Sequence, residues 1–385
     1  MSEYQYYEFL AIDRPLSAKE IAELRALSTR ARITPTSFVN EYHWGDFKGS
    51  PDTLMRRYFD AHVYLANWGQ CHFSLRLPHD ALDAETAAAY TTKYAFLIKE
   101  TGEHWVIDWS LNESEDYDRF GEDDGCDWMA RLTPLRDELL CGEQRALYLG
   151  WLAAVEAGEV KDEQLEPPVP AGMQQPTSAQ RALVKFLGVG LDLLTAATIA
   201  STAAVEDVPA PEERETWLDT VPANETRELL HLLLDGRGQQ AERTLKARFA
   251  AWQRERRPSS VAGTPRRTVA ELRRLAEEVA QLRLRREAEA HARADAERRK
   301  QREAYLSTLA RDFDRAWATA DQQAERGVAS AYDEVRRAVV DLAEAYQRHA
   351  SHEQFEQALQ RFMAPHRRRT TLVKRLADAG LWKKR

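Results

Sequence analysis

The sequence predicts an α+β protein: an N-terminal layered α/β sandwich, loosely ferredoxin-like, then an all-helical module, a long charged helix and a helical C-terminal end-piece. Three observations lead there. Short strand-like runs of apolar and polar residues, bounded by turn residues and interspersed with short helices, occupy the first 111 positions. From about position 176 the apolar residues recur at three and four, the period of an amphipathic helix. Between Arg285 and Glu303 the apolar stripe vanishes into alanine, arginine and glutamate, good helix formers with no face to bury.

The elements follow in order. Tyr4 to Ile12 places Tyr4, Tyr6, Phe9, Leu10 and Ile12 in a first strand that stops at Asp13-Arg14-Pro15. Ser17 with Glu20 three residues on is a capping box, opening a helix along Ile21, Leu24 and Leu27. Arg32–Tyr42 reads as a second strand, and Pro51–Phe59 as a short helix. Two further strands, His62–Ala66 and Cys71–Leu77, flank Asn67-Trp68-Gly69. A short helix spans Asp83–Tyr90, and a hairpin pairs Tyr94–Lys99 with His104–Leu111 across Thr101-Gly102. Ala130–Gly158 reads as an amphipathic helical stretch that closes a first domain at 165.

Glu166-Pro167-Pro168-Val169-Pro170-Ala171-Gly172 reads as a linker over 166–175. The module over 176–257 starts with a helix at Ser178, breaks at Gly188-Val189-Gly190, and continues with helices from Leu191, Glu225 and Gln239. It has the look of a small α-solenoid, although no sequence repeat is present. A second linker spans 258–267. The long charged helix then covers 268–304, and helices over 305–385 form the end-piece. Val269, Leu272, Leu275, Val279 and Leu282 suit a short coiled-coil seam, so self-association through 268–284 is expected.

Composition excludes several classes. In 385 residues, 43% are hydrophobic and only 17 are glycine, which rules out collagen-like and low-complexity chains. Three cysteines cannot staple a chain of this length, and no basic, apolar leader or 18-residue apolar run appears. A cytoplasmic location without membrane contact is expected. Charge is polarised: 1–165 carry a net −14, 166–257 a net −2 and 258–385 a net +8.

Candidate chemistry is sparse. Glu41, His43, Asp46, Lys48, Asp60, His62 and His72 form the densest reactive set, and His43, Asp46, Asp60 and His62 would make an acid–base or hydrolytic site only by converging. His62 also fits the polar face of an alternating strand. Residues 113–127 hold eight carboxylates without EF-hand spacing, so a solvated acidic loop is the plainer account than a cation site. Cys71, Cys126 and Cys141 lack zinc spacing. His349 and His352, three apart, could share a metal but suit a wet helix face as well. No phosphate-cradling glycine motif, nucleophile elbow or metalloprotease motif occurs. No cofactor, metal or catalytic residue is therefore expected. Arg283, Arg285, Arg286, Arg298, Arg299, Lys300, Arg367, Arg368 and Arg369 are candidate nucleic-acid contacts, diluted by interleaved glutamates and lacking an aromatic platform.

Several segments together, YQYYEFLAIDRPL, ALSTRARITPTSFVNEYHWGDFKG, LMRRYFDAHVYLANWG, EPPVPAG and the final TLVKRLADAGL, resemble an uncharacterised family of bacterial proteins with no known activity. The likeness spans nearly the whole chain and implies no site residues. Gly188-Val189-Gly190 departs from it, standing where a stiffer, more polar helix break is expected. Taken together, the chain is expected to be a non-catalytic cytoplasmic interaction or adaptor protein, with unidentified protein partners. The alternative is a nucleic-acid-associated accessory protein that uses the basic C-terminal region.

Overall fold

The computed structural model describes residues 4–45, 47–112, 127–203, 211–256 and 266–382. Contacts divide the chain into two compact units, Met1–Gln281 and Leu282–Arg385.

The first unit is built on a seven-stranded antiparallel sheet. Its strands are β1 (Gln5–Leu10), β2 (Arg32–Ile33), β3 (Ser37–Tyr42), β4 (Ala61–Ala66), β5 (Cys71–Pro78), β6 (Phe96–Thr101) and β7 (His104–Leu111), in the order β2-β3-β1-β4-β5-β7-β6. The expected strand over 32–42 is two strands. Pro35 sits in the turn, and Ile33 folds back to pair with Phe38. Helix α1 (Ala18–Leu27) starts at the expected capping box, where Glu20 accepts from the Ser17 amide at 2.7 Å. Helices α2 (Pro51–Arg57) and α3 (Ala84–Tyr90) also begin at side-chain caps, Ser50 and Asp83.

Both sheet edges are blunted against strand addition. β2 is two residues long. On the outer side of β6, the Phe96 amide donates to Thr92 Oγ1 (3.0 Å), the Thr92 amide to the Phe96 carbonyl (2.7 Å) and the Ile98 amide to Thr91 Oγ1 (3.1 Å).

Side-chain alternation gives the sheet two unlike faces. One carries Val63, Leu65, Phe73, Leu75, Ile107, Trp109, Phe96 and Ile98, all buried. Helices α4 (Trp128–Leu132), α5 (Pro134–Leu140), α6 (Arg145–Glu156), α7 (Ser178–Leu187) and α8 (Leu191–Thr198) belong to the same apolar core. The helical stretch expected over 130–158 is three helices, interrupted at Pro134 and at Gly142, which holds φ +85°. α6 rides directly on β6: a Cβ at Gly150 would lie 2.4 Å from the Phe96 ring. On the opposite face, Phe9 and Phe38 pack with Leu24 of α1 and with Leu54, Met55, Tyr58 and Phe59 in and after α2. The β5–β7 half of that second face is polar.

The core does not stop at 165. The segment expected to be a linker, 166–175, is packed: Glu166, Pro167, Gly172 and Met173 are buried. The Tyr90 hydroxyl donates to the Pro168 carbonyl (2.6 Å), and the Gly172 amide bonds the Thr202 carbonyl (2.8 Å). A proline run saves backbone amides that burial would otherwise leave unpaired, so this composition suits a buried strap as well as a wet linker. The described end of the second expected linker is also pinned. The Glu166 amide bonds the Arg267 carbonyl (2.8 Å), and Arg266 Nε donates to the Glu166 carbonyl (2.8 Å). The buried Glu166 carboxylate accepts from Arg267 Nε (2.7 Å), Arg267 Nη2 (2.8 Å) and the Tyr148 hydroxyl (2.5 Å). Burial, and then the neighbouring carboxylate, push the Tyr148 hydroxyl far above its ordinary pKa.

Three more helices complete the first unit: α9 (Pro211–Leu218), α10 (Ala223–Leu234) and α11 (Gly238–Arg256). Helix α12 (Val269–Arg311) outruns its expected end at 304. Its apolar seam is already occupied. Val269 and Leu272 are buried in the first unit's core, with Leu275, Ala276 and Val279 packed against it. Of the seam residues behind the self-association expected over 268–284, Leu282 faces solvent, as does the neighbouring Leu284. In the second unit, α13 (Phe313–Glu325), α14 (Ala329–His349), α15 (His352–His366) and α16 (Thr370–Asp378) close around Val335, Val339, Leu342, Phe355, Leu359 and Met363. Among the described residues, no helix is long and apolar enough to cross a membrane.

Removing one partner of a buried ion pair strands the other, at a cost of about 3–5 kcal/mol, whereas apolar replacement of both is often near neutral. Glu166→Leu alone should therefore lower the denaturation midpoint sharply, and the Glu166→Leu/Arg267→Leu pair should recover most of the loss. Equal midpoints for the single and double variants would contradict this assignment.

Candidate functional site

The polar half of the second sheet face gathers several titratable side chains: His62, His72, Arg76, Lys99 and Asp108. Strand register builds it. Phe38, Phe9, His62, Ser74, Asp108 and Leu97 stand opposite one another across β3, β1, β4, β5, β7 and β6, so their side chains share one face. His72 and Arg76, two residues either side of Ser74, lie on that face too, as do Tyr64 and Lys99.

His62 is 1% exposed and stacks on Phe9 at 4.1 Å between ring centroids, 18° from parallel. The His72 ring stands edge-on to it at 5.8 Å. Neither His62 ring nitrogen has a hydrogen-bond partner among the described residues. Burial, reinforced by His72, holds its pKa well below the usual histidine range, so it is neutral at physiological pH. Next to it, His72 Nε2 lies 3.4 Å from Asp108 Oδ1 and 3.4 Å from Ser74 Oγ, and Lys99 Nζ stands 3.7 Å from Asp108 Oδ2. Burial raises the Asp108 pKa, but His72, Ser74 and Lys99 outweigh it and leave the carboxyl below its ordinary value.

Serine, histidine and aspartate meet here in composition only. A nucleophile–base–orienter chain uses the two ring nitrogens of the histidine for different partners. Here a single nitrogen faces both the hydroxyl and the carboxylate, and Ser74 is buried. The arrangement sets the Asp108 carboxylate between the His72 ring and the Lys99 ammonium, without the two-sided histidine contact that such a chain requires.

Asp60, at the start of β4, anchors a second polar knot. It accepts from the Ile12 and Asp13 amides (2.6 and 2.9 Å) and from Arg76 Nε and Nη2 (3.1 and 2.6 Å). Arg136, 2% exposed, donates to the Arg76 carbonyl (2.9 Å) and to Asp13 (2.8 Å). Burial raises the Asp60 pKa, yet the Arg76 and Arg136 charges win and lower it. This knot ties the end of β1 to β5 and α5.

The described members of the histidine–carboxylate set singled out in the sequence are therefore dispersed. Asp60 is spent in the arginine knot and His62 lies on Phe9. His43 follows β3 at its far end, against Tyr4 (5.4 Å), five residues from the Phe38 row, about 17 Å of strand. Glu41 pairs with Arg32 (3.0 Å), and Asp46 lies outside the described residues. Cys71 is buried with its thiol on the Phe186 carbonyl (3.1 Å), Cys141 is exposed, and Cys126 falls outside the described residues, as do 113–126 of the acidic loop. His349 lies 3.4 Å from Ser307 and His352 3.4 Å from Glu356, on separate helices. Among the described residues, no group of three His, Cys, Asp or Glu side chains is placed to hold a metal ion.

Sequence reading missed Ser74, Arg76, Asp108, Arg136 and Glu166. Two signals were available: polar residues at every second position in CHFSLRL, and a lone aspartate inside the apolar run WVIDW.

The basic residues sort cleanly. Arg283 pairs with Glu287 (3.1 Å), Arg298 with Asp295 (2.9 Å), and Arg369 donates to the Ala324 carbonyl. Arg285, Arg286, Arg299, Lys300, Arg367 and Arg368 are exposed and have no ion-pair partner among the described residues. Arg266 and Arg267 are consumed by Glu166, and Arg273 pairs with Asp162 (2.9 Å). No protein-family model, curated protein or solved structure matches the chain.

A neutral buried histidine destabilises the fold in acid, because the unfolded chain takes a proton near pH 6.5 that the folded chain refuses. His62 thus makes stability fall as pH drops below about 6.5 and leaves it flat above. In His62→Phe, urea midpoints measured from about pH 7.5 to 5 should decline less than in the native chain. Parallel declines would refute the assignment. Asp60→Ala strands Arg76 beside the buried Arg136 and should cost about 3–5 kcal/mol in the same assay; a loss below about 1 kcal/mol would show that the knot is not load-sharing.

Proposed function

We propose that the protein works by binding other macromolecules: a non-catalytic interaction or adaptor protein of a bacterial multi-protein system, acting in the cytoplasm. One observation carries this proposal. On α10, Leu230, Leu233 and Leu234 are 54%, 54% and 82% exposed, at the i, i+3, i+4 spacing by which a helix anchors in a partner's apolar groove. Leu229, on the inner side of the same helix, is buried. Arg248 of α11 spans to Glu225 (3.1 Å) and Glu228 (3.6 Å) on α10, which holds the outer side in place. Leu218, at the end of α9, is also exposed. The occupant that fits is a protein with an apolar groove lined for one helix face. The blunted sheet edges argue against docking by strand addition.

The test is affinity capture of the tagged full chain from its host, with and without nuclease, beside Leu230→Ser/Leu233→Ser/Leu234→Ser. A stoichiometric protein that survives nuclease and is lost with the triple variant is the expected result. Retention of the same partner by the variant, or capture of no protein, would overturn the proposal.

A further inference from the structure

We infer that the middle of α12 binds the phosphate backbone of duplex DNA through Arg285, Arg286, Arg299 and Lys300. This face is independent of the α10 leucines and belongs to the second unit.

Residues 281–301 are exposed throughout, apart from a partly covered Asp295. A helix that buries no face gains nothing from core packing there, so its side chains are free to serve contacts. The ionic groups are not evenly mixed. Glu287 is taken by Arg283 (3.1 Å), Asp295 by Arg298 (2.9 Å) and His291 (3.1 Å), Glu289 by Arg293 (3.8 Å), and Glu297 accepts from Gln301 (3.2 Å). Arg302 turns to Asp341 and Glu344 on α14, at 2.6 Å each. Among the described residues, four cations of this stretch remain without a carboxylate partner, in two adjacent pairs: Arg285-Arg286 and Arg299-Lys300.

The pairs are fourteen residues apart. At 1.5 Å and 100° per residue they lie about 21 Å apart along the axis and within about 40° of the same side. A helix laid across a major groove about 12 Å wide would offer one cationic pair to each flanking backbone. No Trp, Tyr or Phe lies between 281 and 304, so the segment has no platform for stacking single-stranded bases. The contact is with phosphate and indifferent to sequence.

Four phosphate contacts imply that duplex affinity falls about 100-fold between about 50 and 200 mM salt. Anisotropy titration of the full chain with a labelled mixed-sequence DNA duplex should show that fall. R285Q/R286Q/R299Q/K300Q should weaken binding at least about 10-fold at the lower salt, while R283Q/R293Q/R298Q, which removes arginines already paired, should weaken it less than about 3-fold. Glutamine preserves helix propensity, and circular dichroism checks that both variants stay helical. Three outcomes would overturn the inference: no duplex binding by the native chain at about 50 mM salt; equal losses in both variants, which would mean net charge alone; or displacement of the duplex by polyglutamate as readily as by polyphosphate, which would assign the face to an acidic protein. Capture of a protein partner by α10 is unaffected by any of them.

Discussion

The first unit hangs on one buried carboxylate. Glu166 sits where a proline-rich strap leaves the sheet domain and where the chain returns, a hundred residues later, to begin α12. Its backbone and side chain together hold Arg266, Arg267 and Tyr148. Placing a charge in a core costs several kcal/mol unless it is fully bonded. Here a fork of two guanidinium hydrogen bonds and a phenol meet that requirement. The same contact converts two expected linkers into walls of one core and seats Val269 and Leu272, so α12 leaves the first unit from a fixed root.

The sheet applies the same rule to polar groups. Its helix-covered face is apolar from β4 to β6. Its other face changes midway, from Phe9 and Phe38 under α1 and α2 to Ser74, Arg76 and Asp108. His62 lies at that border, close enough to aromatic rings to be kept neutral and to His72 to be kept from charging. Carboxylates on this face are all matched: Asp60 by two arginines, Asp108 by His72 and Lys99. Each of these two carboxylates thus has its partners within the face, whereas the two proposed docking surfaces lie elsewhere, on α10 and on the middle of α12.

Those two surfaces differ in kind. α10 carries apolar area at helical spacing, which gains from any complementary groove and loses little to salt. The middle of α12 carries charge with no apolar stripe, so its contacts are screened and reversible. A chain with both could hold a protein partner firmly while touching a polyanion lightly.

Much of the architecture was legible in the residues alone. The Ser17–Glu20 box, the period-two runs of β1, β4, β5 and β7, and the stripe-free stretch of α12 are local signals, decided within a few residues by backbone sterics, caps and burial period. Arg285, Arg286, Arg299 and Lys300 could likewise be picked out as basic; that they lack carboxylate partners among the described residues could not, because i,i+4 pairing depends on which rotamer each side chain takes. The pairing of Ile33 with Phe38, the burial of 166–173, the capture of Arg267 by Glu166 and the meeting of His62, His72 and Asp108 were settled by tertiary structure. Each joins positions whose separation carries no local trace, and each is selected by burial: a proline run looks the same in water and in a core until its carbonyls find donors, and a histidine on an alternating strand looks the same on either face until Phe9 covers it.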